Sequence, residues 1–167
     1  MKPITSSQNK AVLERAERLP SLGEIGLDHF APYLINRIAA RWNTDLQETL
    51  KTFGLTTVQM RVLSVLSVMT GLTINELAVF SVTEQSTMSR TLDAMERDGL
   101  VQRQNRSGDL RVREVHLTDK GREAFREVWP AMHGSLKHMF DGFSDEEYET
   151  VVGLLSRVLR NIRRHDF

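Results

Sequence analysis

The chain has 167 residues, and its 22 basic and 22 acidic side chains give a formal net charge of zero. It contains no cysteine, which excludes disulfide bonds, thiolate metal sites and cysteine nucleophiles. No apolar run approaches the roughly 20 residues of a membrane-spanning helix, and no secretory signal opens the sequence, so we expect a cytoplasmic protein.

The first third of the chain combines an irregular extension with one long amphipathic helix. Residues 1–27 lack sustained periodicity, although residues 11–18 fit a short helix. We predict a long helix over about 28–53, capped by Asp28 and ended by Gly54. Its apolar residues recur at every fourth position and form one apolar face. They are Phe30, Leu34, Ile38, Trp42, Leu46 and Leu50.

Three shorter helices are predicted next, separated by turn signals. The first begins near Thr56 or Thr57 and ends at Gly71. The second opens at the capping box Thr73-Ile74-Asn75-Glu76, and the third covers about 84–98. Residues four and seven positions apart in the third helix share one face and point to the core. They are Met88, Leu92 and Met95.

The period then changes to that of a β-hairpin. Residues 100–104 and 112–117 are strand-like and flank the turn sequence Arg106-Ser107-Gly108-Asp109. Residues 101–113 contain four arginines and one aspartate, a local charge of +3. Residues 84–98 contain two arginines and four acidic residues, a local charge of −2. The hairpin therefore carries the positive charge that an anionic partner requires.

The remainder of the chain, over about 119–164, returns to the helical period. Pro130 should kink its first helix or displace one backbone hydrogen bond. Ser144-Asp145-Glu146-Glu147 is a capping box that opens the last helix. This helix has more apolar positions than a lone surface helix carries, so we expect it to pack with the long first helix across a two-fold axis. The positions are Val151, Val152, Leu155, Val158, Leu159 and Ile162.

Three helices followed by a hairpin are the element order of a winged helix-turn-helix lobe, here over about 55–121. We predict a mainly α-helical fold with a small β-hairpin wing and a helical dimerisation region over about 28–53 and 119–164. The last two of the three helices form the helix-turn-helix. The second helix of this motif, here over about 84–98, enters the DNA major groove. Its outward polar residues are Gln85, Ser86, Thr87, Ser89 and Arg90. A solvated amphipathic face is the alternative interpretation of the same residues.

The hairpin contributes a second set of candidate DNA-binding residues. Arginine is attracted strongly by a narrow minor groove. We expect Asp109 to hold the guanidinium of Arg111 in a bidentate pair and so to aim it. A solvated hairpin with a surface ion pair is the alternative. The candidate wing residues are Arg106, Asp109, Arg111 and Arg113.

Six further fragments add a more specific signal through their order and spacing. They are Leu55-Thr56-Thr57-Val58-Gln59, Leu72-Thr73-Ile74-Asn75-Glu76-Leu77-Ala78, Ser86-Thr87-Met88-Ser89-Arg90, Met95-Glu96-Arg97-Asp98-Gly99-Leu100-Val101-Gln102-Arg103, Asp109-Leu110-Arg111 and Val115-His116-Leu117-Thr118-Asp119-Lys120-Gly121. Together with the start of the last helix, this series resembles the MarR family of bacterial transcription regulators over about residues 28–164.

The resemblance implies a dimer that carries two DNA-reading lobes. It places Ser86, Thr87, Ser89 and Arg90 in the recognition helix, and Asp109 with Arg111 in the wing. The chain departs from the family pattern at Leu110, where arginine is common, and at Val112, where alanine is common. The first departure removes one wing charge, so we expect lower phosphate affinity unless Arg106 and Arg113 compensate.

These features predict a sequence-specific transcription regulator that acts as a homodimer on double-stranded DNA at a near-palindromic operator. No paired nucleophile and base, Gly-rich phosphate loop or H-E-x-x-H motif is present, so we expect no enzyme activity. The alternative is a winged-helix module that mediates protein contacts without reading DNA. The −2 charge over 84–98 supports that alternative.

Resemblance to the family also implies a small aromatic acid or phenol as effector. The candidate residues are Phe30, Tyr33, Arg37 and Trp42. The preferred interpretation of Phe30 and Trp42, however, is that they belong to the core together with Phe53. We expect no cofactor and no metal. His133 and His138 lie five residues apart, which does not match the i, i+4 spacing of helical zinc pairs.

Overall fold

The fold is that of a computed structural model, which describes residues 19–163. The helix expected over 11–18 lies outside the described residues. No helix within residues 19–163 is long and apolar enough to cross a membrane. The elements are, in chain order, α1 (Leu22–Ile25), a 3-10 turn (Leu27–His29), α2 (Ala31–Lys51), α3 (Thr57–Val68), α4 (Ile74–Phe80), α5 (Gln85–Arg97), β1 (Val101–Arg106), β2 (Asp109–Leu117), α6 (Asp119–Met139) and α7 (Asp145–Ile162).

The described residues divide into two compact units, 19–43 and 44–163, so the division falls within α2. In the first unit, α2 begins at Ala31, and the prediction that Asp28 caps it is wrong. Asp28 lies instead in the 3-10 turn, which follows Gly26 at a φ of 80°. That positive φ redirects the chain before a longer helix can start.

The core of the second unit is formed by α3, α4, α5 and the hairpin. Thr56 and Thr73 cap α3 and α4 through capping boxes with Gln59 and Glu76. These boxes satisfy backbone N–H groups that a helix start leaves unpaired. The three residues predicted to turn inward from α5 are fully buried, as expected. They are Met88, Leu92 and Met95.

The hairpin is longer than the sequence pattern indicates. Its strands extend to a two-residue turn, Ser107 and Gly108, and the register pairs Val101 with Leu117 and Asn105 with Arg113. Gly108 has a φ of 90°, a conformation that lets the chain reverse within so short a turn. The predicted strands stopped short of the turn because the arginines there lack the apolar alternation of a strand.

The start of α6 packs directly against the base of the hairpin. The Thr118 hydroxyl caps α6 by accepting a hydrogen bond from the Gly121 N–H, and it donates to the Gly99 carbonyl at 2.6 Å. An ideal Cβ on Gly121 would lie 2.0 Å from the Leu100 carbonyl oxygen. The helix continues through Pro130 to Met139. Contact at Gly121 therefore fixes where α6 leaves the lobe.

The last helix, α7, begins at the predicted capping box, in which the Ser144 hydroxyl accepts from the Glu147 N–H. None of its side chains is buried in the single chain. Its exposed apolar residues are Val152, Leu154, Leu155, Val158, Leu159 and Ile162.

Candidate DNA-binding surface

The N-terminal half of α5 presents polar side chains to solvent. Gln85, Ser86 and Arg90 are exposed, whereas Thr87 and Ser89 are half-buried. The Arg90 Nε donates to the Ser86 carbonyl at 3.3 Å, which lays the side chain along the helix. Glu84 stands at the N-cap and makes no side-chain capping bond. The first N–H groups of α5 are therefore not satisfied by a side chain at the cap.

A side-chain hydrogen bond connects the first turns of α4 and α5. The Gln85 Nε2 donates to the Asn75 Oδ1 at 2.7 Å, and both residues are exposed. Asn75 was not among the residues proposed from the sequence, where only its place in a capping box was visible. This bond orients the Gln85 amide and adds Asn75 to the polar surface.

The turn between α4 and α5 is held by a residue of α3. Val82 has a φ of 50°, which is uncommon for a β-branched residue. The Arg61 guanidinium donates to the carbonyls of Ser81 and Val82 at 3.3 and 3.4 Å. Arg61 therefore stabilises the connection that sets the angle between the two helices.

The acidic residues of α5 are paired with the hairpin. Arg103 on β1 donates to Asp93 and Glu96 at 2.7 Å each, and its backbone N–H also donates to Glu96. The Arg103 side chain is only 13% exposed. The single positive charge of Arg103 offsets half of the −2 charge on which the protein-interaction alternative depends. It also removes Arg103 from the charge available to a nucleic acid.

A second ion pair lies within the hairpin itself. Arg106 donates to Glu114, and His116 lies 3.4 Å from the same carboxylate. The hydrogen bond from Arg106 lowers the pKa of Glu114, and burial opposes that shift. The same bond raises the pKa of Arg106. Arg106 therefore has a partner within the hairpin and is not a free cation.

At the tip of the wing, the predicted bidentate pair between Asp109 and Arg111 is wrong. The Asp109 carboxylate accepts from the backbone N–H of Arg111 at 3.0 Å. Aspartate commonly bonds its own backbone two residues on in a turn, and that local bond competes with a guanidinium partner. Arg111 and Arg113 are exposed, and neither has an ion pair within residues 19–163. The neighbouring Leu110 is 79% exposed.

Comparison with known proteins places this lobe in a family. The sequence profile of the MarR family matches residues 55–112. The crystal structure of a MarR-family transcriptional regulator from Silicibacter pomeroyi is 42% identical, with a TM-score of 0.83, over 89% of this chain and 100% of that chain. The chain belongs to the MarR family. MarR-family members are transcription regulators and not enzymes, which confirms the predicted class.

Two more distant structures share the MarR fold with this chain. MepR from S. aureus, solved as a complex with DNA, is 22% identical with a TM-score of 0.69, over 81% of this chain and 99% of that chain. CouR from Rhodococcus jostii RHA1, solved with bound p-coumaroyl-CoA, is 22% identical with a TM-score of 0.71, over 85% of this chain and 97% of that chain. The predicted winged helix-turn-helix fold is thereby confirmed.

The four candidate effector residues of this MarR-family chain are brought together only in part. The Arg37 Nη1 donates to the Tyr33 hydroxyl at 3.0 Å, and its guanidinium lies 5.8 Å from the Tyr33 ring centre. Phe30 is exposed and Trp42 is half-buried, so neither is a fully buried core residue. Neither makes a ring contact or side-chain hydrogen bond to the Tyr33–Arg37 pair within residues 19–163.

Histidine and carboxylate side chains are spread over the same described part of the chain. No group of three or more His, Asp or Glu side chains there is placed to hold a metal ion. The His133 ring lies 5.8 Å from the Trp129 ring, as part of a row of aromatic side chains along α6.

Proposed function

We propose that the protein regulates transcription as a homodimer that binds a near-palindromic DNA operator in a sequence-dependent manner. One observation carries the proposal. The polar face of α5 belongs to the same lobe as a wing with two exposed arginines, Arg111 and Arg113, that form no ion pair with any described residue. A base-reading helix next to a basic hairpin is the arrangement that contacts adjacent grooves of duplex DNA.

The first turns of α5 are proposed to enter the major groove. Short hydroxyl side chains and an arginine are suited to base edges and to the phosphates beside them. Gln85 would approach the DNA together with Asn75, its hydrogen-bond partner. The proposed recognition residues are Gln85, Ser86, Thr87, Ser89 and Arg90.

The wing is proposed to contact the minor groove and its phosphates. Arg111 and Arg113 supply the charge, and Asp109 shapes the tip through its bond to the Arg111 N–H. Arg106 stays in the proposed set by position, with its guanidinium bound to Glu114 of the opposite strand. The expectation that Arg106 compensates for the charge missing at Leu110 is weakened by that pairing.

Dimerisation is proposed to cover the apolar face of α7. Leu155, Leu159 and Ile162 are 48%, 62% and 70% exposed in the single chain. Leu34 and Ile38 of α2 are exposed as well. An exposed apolar helix face of this kind marks an interaction site in a globular protein. A second copy of the chain would place two lobes one helical turn apart on a palindrome.

The test begins with recovery of the operator from DNA fragments retained by the purified protein. Binding is then measured as a function of salt, because contacts to phosphates release counterions. Arg111→Ala should weaken binding to all sequences and lower the salt slope by about 1 per subunit. Arg90→Ala should cost about 1–3 kcal/mol and relax sequence preference. Arg160→Ala on α7 is the control. A footprint over a single asymmetric half-site would contradict the dimeric arrangement.

A small aromatic carboxylate or phenol is proposed as effector at Arg37. The cation lies against the Tyr33 ring and could hold a carboxylate, with Phe30 and Trp42 nearby along the chain. CouR, a protein of the same fold, binds an aromatic acyl thioester. A tenfold release of DNA requires a preference of only about 1.4 kcal/mol for the non-binding conformation.

The effector is tested by measuring operator affinity with a panel of benzoates and phenols at millimolar concentration. The wild-type chain should lose affinity in the presence of at least one compound, and Arg37→Ala should not respond. An identical response in both proteins, or none in the wild type, contradicts a pocket at Arg37.

A further inference from the structure

The first turns of α4 and α5 carry two amide side chains that bind each other. The Gln85 Nε2 donates to the Asn75 Oδ1 at 2.7 Å, across ten positions of the chain. Both side chains are exposed, and neither amide forms another side-chain hydrogen bond within residues 19–163. This amide pair, Asn75 and Gln85, therefore has a fixed mutual orientation at the surface and unused hydrogen-bonding capacity.

The backbone on each side of the amide pair is held by hydrogen bonds of its own. At the start of α4, the Thr73 hydroxyl accepts from the Glu76 N–H, and the Glu76 carboxylate accepts from the Thr73 N–H. The turn that leads into α5 is held by the guanidinium of Arg61. Side chains on a fixed backbone lose less conformational freedom when a partner binds, so the pair is arranged in advance for binding.

The bond between the two amides leaves different groups free on each of them. A glutamine or asparagine amide offers one carbonyl oxygen and two N–H groups. Gln85 uses one N–H on Asn75, so one donor remains beside one acceptor. Asn75 uses its carbonyl oxygen, and both of its N–H donors stay unused. The pair therefore presents a donor and an acceptor at one residue and two donors at the other.

A donor beside an acceptor matches the major-groove edge of adenine. Adenine presents the N7 acceptor next to the N6 amino donor, whereas guanine presents two acceptors, N7 and O6. On guanine, the carbonyl of Gln85 would face an acceptor and gain no hydrogen bond. Thymine presents one acceptor and a methyl group, and cytosine one donor, so each satisfies only one of the two groups. Phosphate oxygens only accept, and they match the unused N–H groups of Asn75.

We propose that Gln85 reads an adenine in each half-site of the operator and that Asn75 is its positioning residue. This inference rests on the proposed binding of DNA by α5, which it extends from a surface to one base. Asn75 orients the Gln85 amide, so that the free N–H meets N7 and the carbonyl meets the N6 amino group, and it donates to a neighbouring phosphate. Gln85 is the first residue of α5, at the end of a recognition helix that contacts bases.

The first experiment recovers binding sites from a randomised duplex pool with the full-length protein. One A·T pair in each half-site should be invariant for the wild type and variable for Gln85→Ala, while the other positions of the site stay the same. Gln47→Ala, which removes an exposed glutamine of α2, is the matched control. It should recover the wild-type site.

The second experiment changes single atoms of that adenine in the recovered operator. Replacement by 7-deazaadenine removes the N7 acceptor and keeps the amino group. Wild-type affinity should then fall by about fivefold, the effect of one lost hydrogen bond. A change from A·T to G·C should lower it by about tenfold. Gln85→Ala should bind all three operators equally well.

Two variants of Asn75 separate positioning from a structural or electrostatic role. Asn75→Asp keeps the acceptor for Gln85 and adds a negative charge, so it should weaken binding to the adenine and guanine operators alike and preserve their affinity ratio. Asn75→Ala removes the acceptor, so the ratio should fall by about threefold. In the Gln85→Ala background, Asn75→Ala should leave the ratio at about one. A merely structural role of Asn75 predicts lower affinity for both operators at an unchanged ratio.

Failure of this inference can be distinguished from failure of the proposed function. If the wild type and Gln85→Ala recover the same site, or if the pair that becomes variable is G·C, the protein reads DNA but the role of Gln85 is wrong. An affinity ratio that Asn75→Ala leaves unchanged would overturn the positioning role. If the wild type recovers no common sequence, the proposed function fails and the inference fails with it.

Discussion

Individual residues set tight geometric limits where α6 meets the hairpin. The Gly121 Cα approaches the Leu100 carbonyl so closely that a Cβ atom would lie 2.0 Å from the oxygen. The obstacle is backbone, which cannot rotate away as a flexible side chain can. Gly134, in the same helix, has no heavy atom within 4 Å of an ideal Cβ. The two glycines therefore form a matched pair for a stability measurement.

Gly121→Ala should destabilise the protein by about 1–3 kcal/mol, the usual cost of overpacking. Gly134→Ala should be neutral or should stabilise the protein by up to about 1 kcal/mol, because alanine has a higher helix propensity than glycine at an exposed position within a helix. Urea denaturation at one fixed protein concentration measures both, since dimer stability depends on concentration. Equal stabilities for the two variants would contradict this prediction, because they would mean that α6 moves away from the Leu100 carbonyl at no cost in stability.

The exposed apolar residue at the wing tip gives a second prediction at this scale. Leu110→Arg adds a cation beside Arg111, where phosphates are proposed to lie. Operator affinity should rise, and the salt slope should become steeper by about 1 per subunit. Leu110→Gln, which adds polarity without charge, is the control. An unchanged salt slope for Leu110→Arg would place the wing tip away from DNA.

Glu114 makes the stability of the hairpin sensitive to acid. Its pKa is lowered below the ordinary value of 4.5, mainly by the hydrogen bond from Arg106, and His116 also faces it. A carboxylate whose pKa is lower in the folded state stabilises the fold at any pH above its unfolded pKa. That contribution is lost as the pH falls through the folded pKa.

Glu114→Gln should therefore be less stable than the wild-type protein at neutral pH, and the difference should vanish in acid. Thermal melts from pH 7 to about 3 test this, with Glu149→Gln as the exposed control. A difference independent of pH would contradict the ionic role.

At the scale of elements, the hairpin and α5 are joined by a buried arginine. Arg103 bonds two carboxylates of α5 through separate nitrogens while remaining largely inaccessible to water. A charge that is shielded from water destabilises the fold unless it is paired. Removal of one partner therefore leaves the other charge without compensation. The wing is thereby held at a defined position relative to the recognition helix.

A double-mutant cycle of Arg103→Met and Glu96→Gln should give a coupling energy of about 1–3 kcal/mol in unfolding. The equivalent cycle of Arg126→Met and Glu123→Gln, on an exposed pair, should give about 0.5 kcal/mol or less. Operator affinity should fall with Arg103→Met because the wing is no longer fixed. If the two couplings are equal, the Arg103 contacts contribute no more than a surface pair.

At the scale of the whole molecule, the second unit has one compact core and one helix, α7, that has no buried side chain among the described residues. The lobe buries residues from α3 to β2 around Leu63, Leu92 and Val115. In contrast, α7 buries none of its side chains, although six of its apolar residues are exposed. A second copy of the chain provides the cover in our proposal, and dimer formation should therefore be separable from folding of the lobe.

The double substitution of Leu155 and Leu159 by glutamate should convert the dimer to a monomer, because charge on the apolar face of α7 must then be desolvated. Sedimentation velocity measures the change in mass, and circular dichroism shows whether the lobe remains helical. Operator affinity should fall steeply with loss of the second lobe. Arg157→Gln is the control on the same helix. A double variant that remains dimeric would contradict the assignment of this interface.

The sequence alone determined the order and type of the elements over residues 55–163. It did so because its signals are local. The capping boxes at Thr73 and Ser144 form hydrogen bonds between residues three positions apart. The apolar period of α5 places Met88, Leu92 and Met95 on one face of the helix, whatever the helix packs against. The hairpin was found for the same reason, through its turn sequence.

Tertiary structure decided which charged groups of the site are free and which are bound. Arg103 meets Glu96 across seven positions, Arg106 meets Glu114 across eight, and Arg61 holds the turn at Ser81 across twenty. No periodicity encodes such pairs, because each depends on how two packed elements bring distant side chains together. In the sequence, the four arginines of residues 101–113 could only be counted together as positive charge. The folded chain commits Arg103 and Arg106 to ion pairs and leaves Arg111 and Arg113 exposed.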